Sequence, residues 1–210
     1  MKLSKKTWAR IGMFLIVGFI VIARGVSNES EWVAQLDVYG NEVFRLDVPM
    51  ETSTRILSFT QIGSIRNLLY TALAIGAILL YKKEKIHFFW FGITMAIAGG
   101  LAPLVLKNAI SRARPTDGLF SRGGYSFPSG HTMGTLALYG LVLILAYKYI
   151  KNAWLKYTIM IASLTIIILI SWSRIHLGVH FLTDIIASIF LGVALLIGAW
   201  LFLDKFEKRF

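Results

Sequence analysis

The sequence has 210 residues, of which 56% are hydrophobic, and its mean hydropathy is +0.67. The apolar residues are gathered into long runs, which excludes an ordinary soluble globular protein. The chain contains no cysteine, so disulfide bonds and thiolate metal sites are excluded as well. Its formal net charge of +11 would suit a nucleic-acid partner, but the distribution of the charge argues against one.

Six stretches are nearly free of charge and, with their flanks, approach the roughly 17–25 residues that a membrane-spanning helix needs. They are residues 11–23, 68–81, 88–106, 132–146, 157–172 and 181–203. The stretches lack the alternation of β-barrel strands, so the expected fold is all-α, a bundle of six transmembrane helices. Six spans use most of the chain, and we therefore expect residues 1–210 to form one integral membrane domain.

The first run follows several basic residues, as a signal peptide does, but no small-residue cleavage site comes after it, so a retained anchor is expected. Three segments would lie on the side of the membrane opposite the two chain ends: residues 26–67, 107–130 and 173–180. The first contains amphipathic patches, such as residues 43–48, that predict short helices at the membrane interface. We interpret this segment as a structural cap in preference to a substrate gate.

Charge is distributed unevenly between the two sides of such a bundle. If both termini lie in the cytoplasm, the inner segments hold thirteen basic and three acidic residues, a net charge of +10. The outer segments hold nine basic and eight acidic residues, a net charge of +1. This is the positive-inside pattern of a multi-pass protein of the cell membrane. The charge therefore reflects topology, and no nucleic-acid partner is expected.

Polar and charged residues collect at the outer ends of the predicted helices, where ionisable groups are costly in lipid. They are Lys107, Arg112, Arg114, Ser129, Gly130, His131, Arg174, His180 and Asp184. Snorkelling to the interface would explain any one of them, and we accept it for Arg112 and Arg122. It does not explain three cations, two histidines and an acid on one side of the membrane.

Three of these residues, Lys107, Arg114 and Arg174, are cations suited to an oxyanion with several equivalent oxygens, which means phosphate. Ser129 and Gly130 directly precede a predicted helix, so their N–H groups and the helix dipole can also face an anion.

His180 and Asp184 are four residues apart and would share one face of a helix. Asp184 could then accept the proton of one ring nitrogen of His180 and leave the other nitrogen free to attack phosphorus. His131 would remain as the acid that protonates the departing oxygen. His176 and His87 are interpreted as packing or hydrogen-bonding residues outside the chemistry.

A metal cofactor is not expected. Asp184 is the only acid within residues 107–115, 128–131 and 173–184, and Asp117 lies in the loop after the first of these. Metal phosphatases, in contrast, hold their ions with several carboxylates. We predict that the protein needs no cofactor.

Residues 107–115 read KNAISRARP, residues 128–131 read PSGH, and residues 173–184 read SRIHLGVHFLTD. In this order they resemble the signature K-x6-R-P, P-S-G-H, S-R-x5-H-x3-D of the type 2 phosphatidic acid phosphatase family. The six-helix pattern extends the resemblance to most of the chain, and residues 26–67 are covered least. One neighbouring position departs, because many relatives have an aromatic-proline pair after the last histidine and this chain has Phe181-Leu182.

The resemblance implies a metal-independent phosphoric monoester hydrolase in which His180 becomes phosphorylated, Asp184 orients it and His131 protonates the leaving group. It implies that the phosphate is held by Lys107, Arg114, Ser129, Gly130 and Arg174. The site would lie at the headgroup level on the outer face of a bacterial membrane. There a phospholipid or isoprenoid lipid could present its phosphate while its tails stay in the bilayer.

The family includes bacterial enzymes that act on phosphatidylglycerophosphate, on undecaprenyl diphosphate and on phosphatidic acid, and the motifs do not choose among them. The likeness to compact bacterial lipid phosphatases favours phosphatidylglycerophosphate and a place in phosphatidylglycerol synthesis. Vanadium-dependent haloperoxidases share a related signature but are soluble. A lipid or anion transporter would explain the cations but not a His–Asp pair beside a further histidine.

Overall fold

The structure is a computed structural model that describes residues 4–120 and 123–207. In these residues the regular structure is helical throughout, which confirms the all-α fold. The α-helices are α1 (Lys5–Ser27), α2 (Glu31–Phe44), α3 (Met50–Thr60), α4 (Ile65–Tyr81), α5 (Lys85–Thr94), α6 (Ala102–Ile110), α7 (Gly130–Tyr149), α8 (Ala153–His176) and α9 (Leu182–Glu207). A 3-10 turn, Gln61–Gly63, joins α3 to α4, and a π-helix, Met95–Leu101, joins α5 to α6.

Among the residues that the structure describes, five helices are long and apolar enough to cross a membrane: Lys5–Ser27, Lys85–Ile110, Gly130–Tyr149, Ala153–His176 and Leu182–Lys205. The sixth predicted span is α4, which has 17 residues and bends by 42° from the α3 segment that precedes it. At a rise of about 1.5 Å per residue, α4 covers about 25 Å, somewhat less than the hydrocarbon core. The six predicted spans thus correspond to five clear helices and a shorter, broken one.

Helix α7 lies at the centre of the bundle, in contact with α4, α8, α9 and the π-helix. Ten of its 20 residues are buried. Small residues let the neighbouring helices approach closely, as is typical in membranes. A side chain at Gly134 would collide with Leu68, and one at Gly140 would collide with Leu196.

The third predicted span, residues 88–106, lies within one continuous helical segment, but its middle is a π-helix where the α-helical hydrogen-bond pattern changes. Pro103 has no N–H to donate to the carbonyl of Gly99, and a π-helical turn is a common way to accommodate such a missing bond. Residues of this loosened turn face α7, where a side chain at Gly99 would lie 3.6 Å from Cα of Gly134.

Residues 26–67, which were predicted to lie outside and are named the outer segment, contain the two short helices α2 and α3, as expected, but residues 43–48 are not one of them. Helix α2 ends at Phe44, and an extended stretch runs from Arg45 to Pro49. Proline disfavours the α-conformation for the residue before it, so the chain re-enters a helix only at Met50. The amphipathic patch therefore connects two interfacial helices.

Candidate active site

Two loops at the end of the bundle where α6 and α8 end and α9 begins bring the first and third sequence motifs together. Gly118 and Gly178 pack backbone to backbone, and the N–H of Leu119 donates to the carbonyl of Leu177 at 3.1 Å. Gly178 has a φ of +63°, and a Cβ there would meet Cα of Gly118 at 2.6 Å. Only glycine tolerates both conditions, so this contact fixes how closely the loops approach.

His180 lies in the loop before α9 and is 2% exposed. Its Nδ1 hydrogen-bonds to Oδ2 of Asp184 at 3.2 Å, and the same oxygen accepts the N–H of Phe181 at 3.0 Å. The predicted pairing of His180 with Asp184 is present, but His180 is not on a helix. The two meet because the carboxylate reaches back from the first turn of α9 and caps the start of that helix.

The other ring nitrogen of His180 faces the cations. Nη1 of Arg114 approaches Nε2 of His180 at 3.2 Å, which places the lone pair on Nε2 and the proton on Nδ1. Burial, reinforced by Arg174 and Arg114, lowers the pKa of His180 to about 4, although the hydrogen bond and charge of Asp184 act in the opposite direction. The imidazole is therefore neutral at physiological pH, with the electron pair of Nε2 directed at the cations.

The three predicted cations come from three different elements and converge: Lys107 from α6, Arg114 from the following loop and Arg174 from the end of α8. Lys107 lies within electrostatic range of both arginines. Arg114 donates to the carbonyl of Val179 at 2.7 Å, and Arg174, which is 1% exposed, donates to Oγ1 of Thr60 at 3.0 Å. Such a set of like charges is costly to hold in a shared site unless an anion lies between them.

Ser129 and Gly130 begin α7 as predicted, but the N–H of Ser129 does not face the cations. It donates to Oγ of Ser188 at 2.8 Å, and the Ser129 side chain caps α7 by accepting from the N–H of Thr132 at 3.4 Å. Ser129 is thus a helix cap in this structure. Gly130 remains beside Lys107, whose Cε would lie 3.8 Å from a Cβ at that position.

His131 follows in the first turn of α7 and is half-buried. Together with Lys107 and Gly130 it lines the end of a cleft of about 660 Å³ whose other walls are formed mainly by apolar residues of α4, α5, the π-helix and α6. The cleft therefore joins the cationic end of the site to an apolar groove between helices.

Sequence reasoning missed two residues, Arg112 and Asp37. Arg112 does not snorkel to the interface, because its Nη1 donates to Oδ1 of Asp184 at 2.7 Å and its Nη2 pairs with Asp37. Asp37 comes from α2 and is buried. Nothing in the local sequence distinguishes Asp37 from other polar residues on a short interfacial helix. The one signal that could have pointed to Arg112 is its place within the first motif, two residues before Arg114. Arg122, explained in the same way, lies outside the described residues.

The two remaining histidines lie outside this arrangement. His176 accepts the N–H of Leu46 on Nδ1 at 3.2 Å and stacks on the ring of Trp172, so it packs and hydrogen-bonds. His87 contacts Glu84 and Lys148 at the opposite end of the bundle. Within residues 4–120 and 123–207, no group of three or more histidine, aspartate or glutamate side chains could hold a metal ion.

The comparisons with known proteins agree with this geometry. A family model described as the PAP2 superfamily matches residues 87–208. Phosphatidylglycerophosphatase B of Bacillus subtilis is 29% identical over 188 residues, 87% of each protein. A lipid A 1-phosphatase of Rhizobium etli is 28% identical over 125 residues, which cover 53% of this chain and 50% of that protein.

The fold has a counterpart among solved structures. The crystal structure of a transmembrane PAP2-type phosphatidylglycerolphosphate phosphatase from Bacillus subtilis is 25% identical in sequence, with a TM-score of 0.78. The match covers 94% of this chain and 96% of that one. The resemblance drawn from the three motifs is confirmed, and so is a multi-pass membrane fold. The chain belongs to the PAP2 superfamily, the family of the type 2 phosphatidic acid phosphatases.

Proposed function

We propose that the protein hydrolyses the terminal phosphate of a membrane lipid through a phosphohistidine intermediate on His180. The observation that carries this proposal is the state of His180. It is buried and neutral, its Nδ1–H is held by Asp184, and its Nε2 lone pair points at Arg114 among three cations. A nucleophile with an orienting acid on one side and an anion site on the other is an arrangement for phosphoryl transfer.

In the first step Nε2 of His180 attacks phosphorus and the P–O bond to the lipid breaks. The charge on the three outer phosphate oxygens is balanced by Lys107, Arg114 and Arg174. His131 gives its proton to the departing oxygen, so that the lipid leaves with a free hydroxyl group. Asp184 stabilises the ring of His180 as it gains positive charge, through the Nδ1–H hydrogen bond.

In the second step a water molecule attacks the phosphohistidine. His131, now a base, takes a proton from the water, the P–N bond breaks, and its electron pair returns to Nε2 of His180. Inorganic phosphate leaves, and both histidines regain their initial states. Three fixed cations supply the charge stabilisation that a metal ion supplies in other phosphatases, so we expect the reaction to be metal-independent.

The cleft supports a lipid as the substrate. Its volume of about 660 Å³ falls in the range of sites for drug-sized ligands, and its walls are mainly apolar up to the end where Lys107 and His131 lie. An acyl chain fits such walls, and the phosphate of the same molecule would then reach the cations. A soluble phosphate ester would gain nothing from the apolar part of the groove.

Among lipid phosphates, phosphatidylglycerophosphate is the substrate that we propose. Support comes from the relative named phosphatidylglycerophosphatase B, which matches 87% of the chain, and from the similar Bacillus subtilis structure. We further propose that residues 1–210 form one domain, that both termini are cytoplasmic and that the site faces outward, as the charge distribution favours. An outward site also suits undecaprenyl diphosphate, which is the second candidate, and phosphatidic acid is the third.

The test is to measure kcat/KM for all three lipids with purified protein in one detergent, with His180→Ala as the inactive control. Phosphatidylglycerophosphate should be hydrolysed most efficiently. A preference for undecaprenyl diphosphate of more than about tenfold, roughly 1.4 kcal/mol in the transition state, would overturn the substrate assignment. Near-normal turnover in His180→Ala would overturn the mechanism.

A further inference from the structure

At the oxygen of Asp184 that His180 does not use, an arginine bridges two buried carboxylates. Arg112 donates from Nη1 to Oδ1 of Asp184 at 2.7 Å and to Oγ1 of Thr183 at 2.8 Å, and its Nη2 pairs with Asp37. Its guanidinium also lies 4.0 Å above the ring of Phe181. Four separate contacts therefore fix one side chain that belongs to none of the signature positions.

The two oxygens of Asp184 divide their partners between the chemistry and this bridge. Oδ2 accepts from His180 and from the N–H of Phe181, whereas Oδ1 accepts from Arg112. With both oxygens bound, the carboxylate cannot rotate without breaking a charge-assisted hydrogen bond. The direction in which Asp184 holds His180 is therefore set in part by Arg112.

Asp37 fixes Arg112 in turn and attaches α2 to the start of α9. Its Oδ1 accepts the N–H of Thr183 at 2.9 Å and Oγ1 of the same residue at 2.8 Å, while its other oxygen faces Arg112. Asp37 is 5% exposed, so solvent screens its charge only weakly. A contact between two residues 75 positions apart in sequence thus links the outer segment to the helix start that carries Asp184.

We propose that Arg112 and Asp37 are positioning residues that orient the Asp184 carboxylate and, through it, set the proton affinity of His180. Neither contacts the phosphate site itself. The proposal deepens the function proposed above and rests on it for the role of His180.

The charges predict a compensation that can be measured. The charged groups that face His180 are Asp184 from α9 and the cations Arg174 and Arg114 from α8 and the loop after α6. Behind Asp184, Arg112 adds one positive charge and Asp37 one negative charge. Removing Arg112 leaves two carboxylates behind the ring and favours its protonated form, and removing Asp37 as well returns the net charge there to its wild-type value.

The experiment uses the full-length protein in detergent and titrates His180 by NMR on samples labelled at histidine. The chain has four histidines, so the His180→Gln spectrum identifies the signal. Arg112→Gln should move the midpoint of His180 upward by about one pH unit, because Asp184 loses its cation partner and its charge then favours the protonated ring more strongly. Arg112→Gln combined with Asp37→Asn should bring the midpoint back towards the wild-type value.

A second readout is the pH dependence of kcat/KM with phosphatidic acid in micelles. Because the neutral ring is the nucleophile, the acid limb should shift upward in Arg112→Gln and return in the double variant. Arg112→Lys, which keeps the charge, should retain the wild-type limb. The matched controls are Arg55→Gln and Glu51→Gln, which remove one charge each from an exposed pair on α3 and should leave the profile unchanged.

An unchanged midpoint in Arg112→Gln, or a double variant shifted further than the single one, would overturn the proposal. If Arg112→Gln does not fold, Asp37→Asn decides, because it is isosteric. In either variant, a kcat about tenfold below the wild-type value with an unchanged KM supports a positioning role, and a wild-type kcat contradicts it. The NMR titration does not need turnover, so a wild-type protein without phosphatase activity would refute the proposed function while this proposal is still judged on its own.

Discussion

Acid should lower the free energy of unfolding of this protein, and part of that loss can be assigned to His180. The native pKa of about 4 lies below the ordinary value of 6.5 because the ring is buried beside two arginines. Below pH 6.5 the unfolded chain binds a proton at this residue and the native state does not. Stability is therefore fully present above the unfolded pKa and is lost as the pH falls from about 6.5 towards 4.

The size of the loss follows from the same two values. The difference between 6.5 and about 4 corresponds to about 3 kcal/mol in the free energy of unfolding, of which about 2.5 kcal/mol should be lost between about pH 7.5 and pH 4.5. The assay is reversible unfolding in mixed micelles at these two pH values, for the wild type and for His180→Gln. Other groups titrate in both proteins, so the difference between the two losses isolates His180. Equal losses in the two proteins would refute this reasoning.

Three further predictions concern the reaction and its setting. His131→Ala should slow hydrolysis of phosphatidic acid far more than that of an aryl phosphate with a good leaving group, because only the former needs its proton; equal losses would remove His131 as the general acid. Excess chelator should leave kcat unchanged while vanadate inhibits at micromolar concentration, and strict dependence on added magnesium would contradict the three-cation site. A cysteine at Gly123 should react with an impermeant thiol reagent outside intact cells and one at Lys83 should not, and the reverse pattern would place the site in the cytoplasm.

The fold was predictable from the sequence because the bilayer imposes one dominant constraint. Each apolar run had to become a helix of nearly fixed length. Details that depend on local hydrogen bonding were less accessible. His180 was expected on α9, but that helix begins at Leu182, and His180 lies in the loop before it. Asp184 caps the start of the helix by accepting the N–H of Phe181. The N–H of Ser129 was expected at the anion site, but it donates instead to Oγ of Ser188, 59 residues away.

The site was predictable to the extent that it is written in contiguous motifs. Lys107, Arg114, Arg174 and His180 converge because their two motifs stand at the same end of helices in one bundle. Asp37 could not be found in this way, because its role depends on which face of α2 meets α9. Hydropathy does not determine how a short interfacial helix is rotated, and a single aspartate on it carries no spacing signal.

The family match begins at residue 87, yet two of the arginines at the site are held by residues that precede it. Asp37 pairs with Arg112, and Thr60 accepts from Arg174. The outer segment is therefore a poor place to cut when building chimaeras. A hybrid that grafts residues 87–208 onto the first part of another relative would keep every motif. It would work only if the donor also supplied a carboxylate and a hydroxyl at these two points.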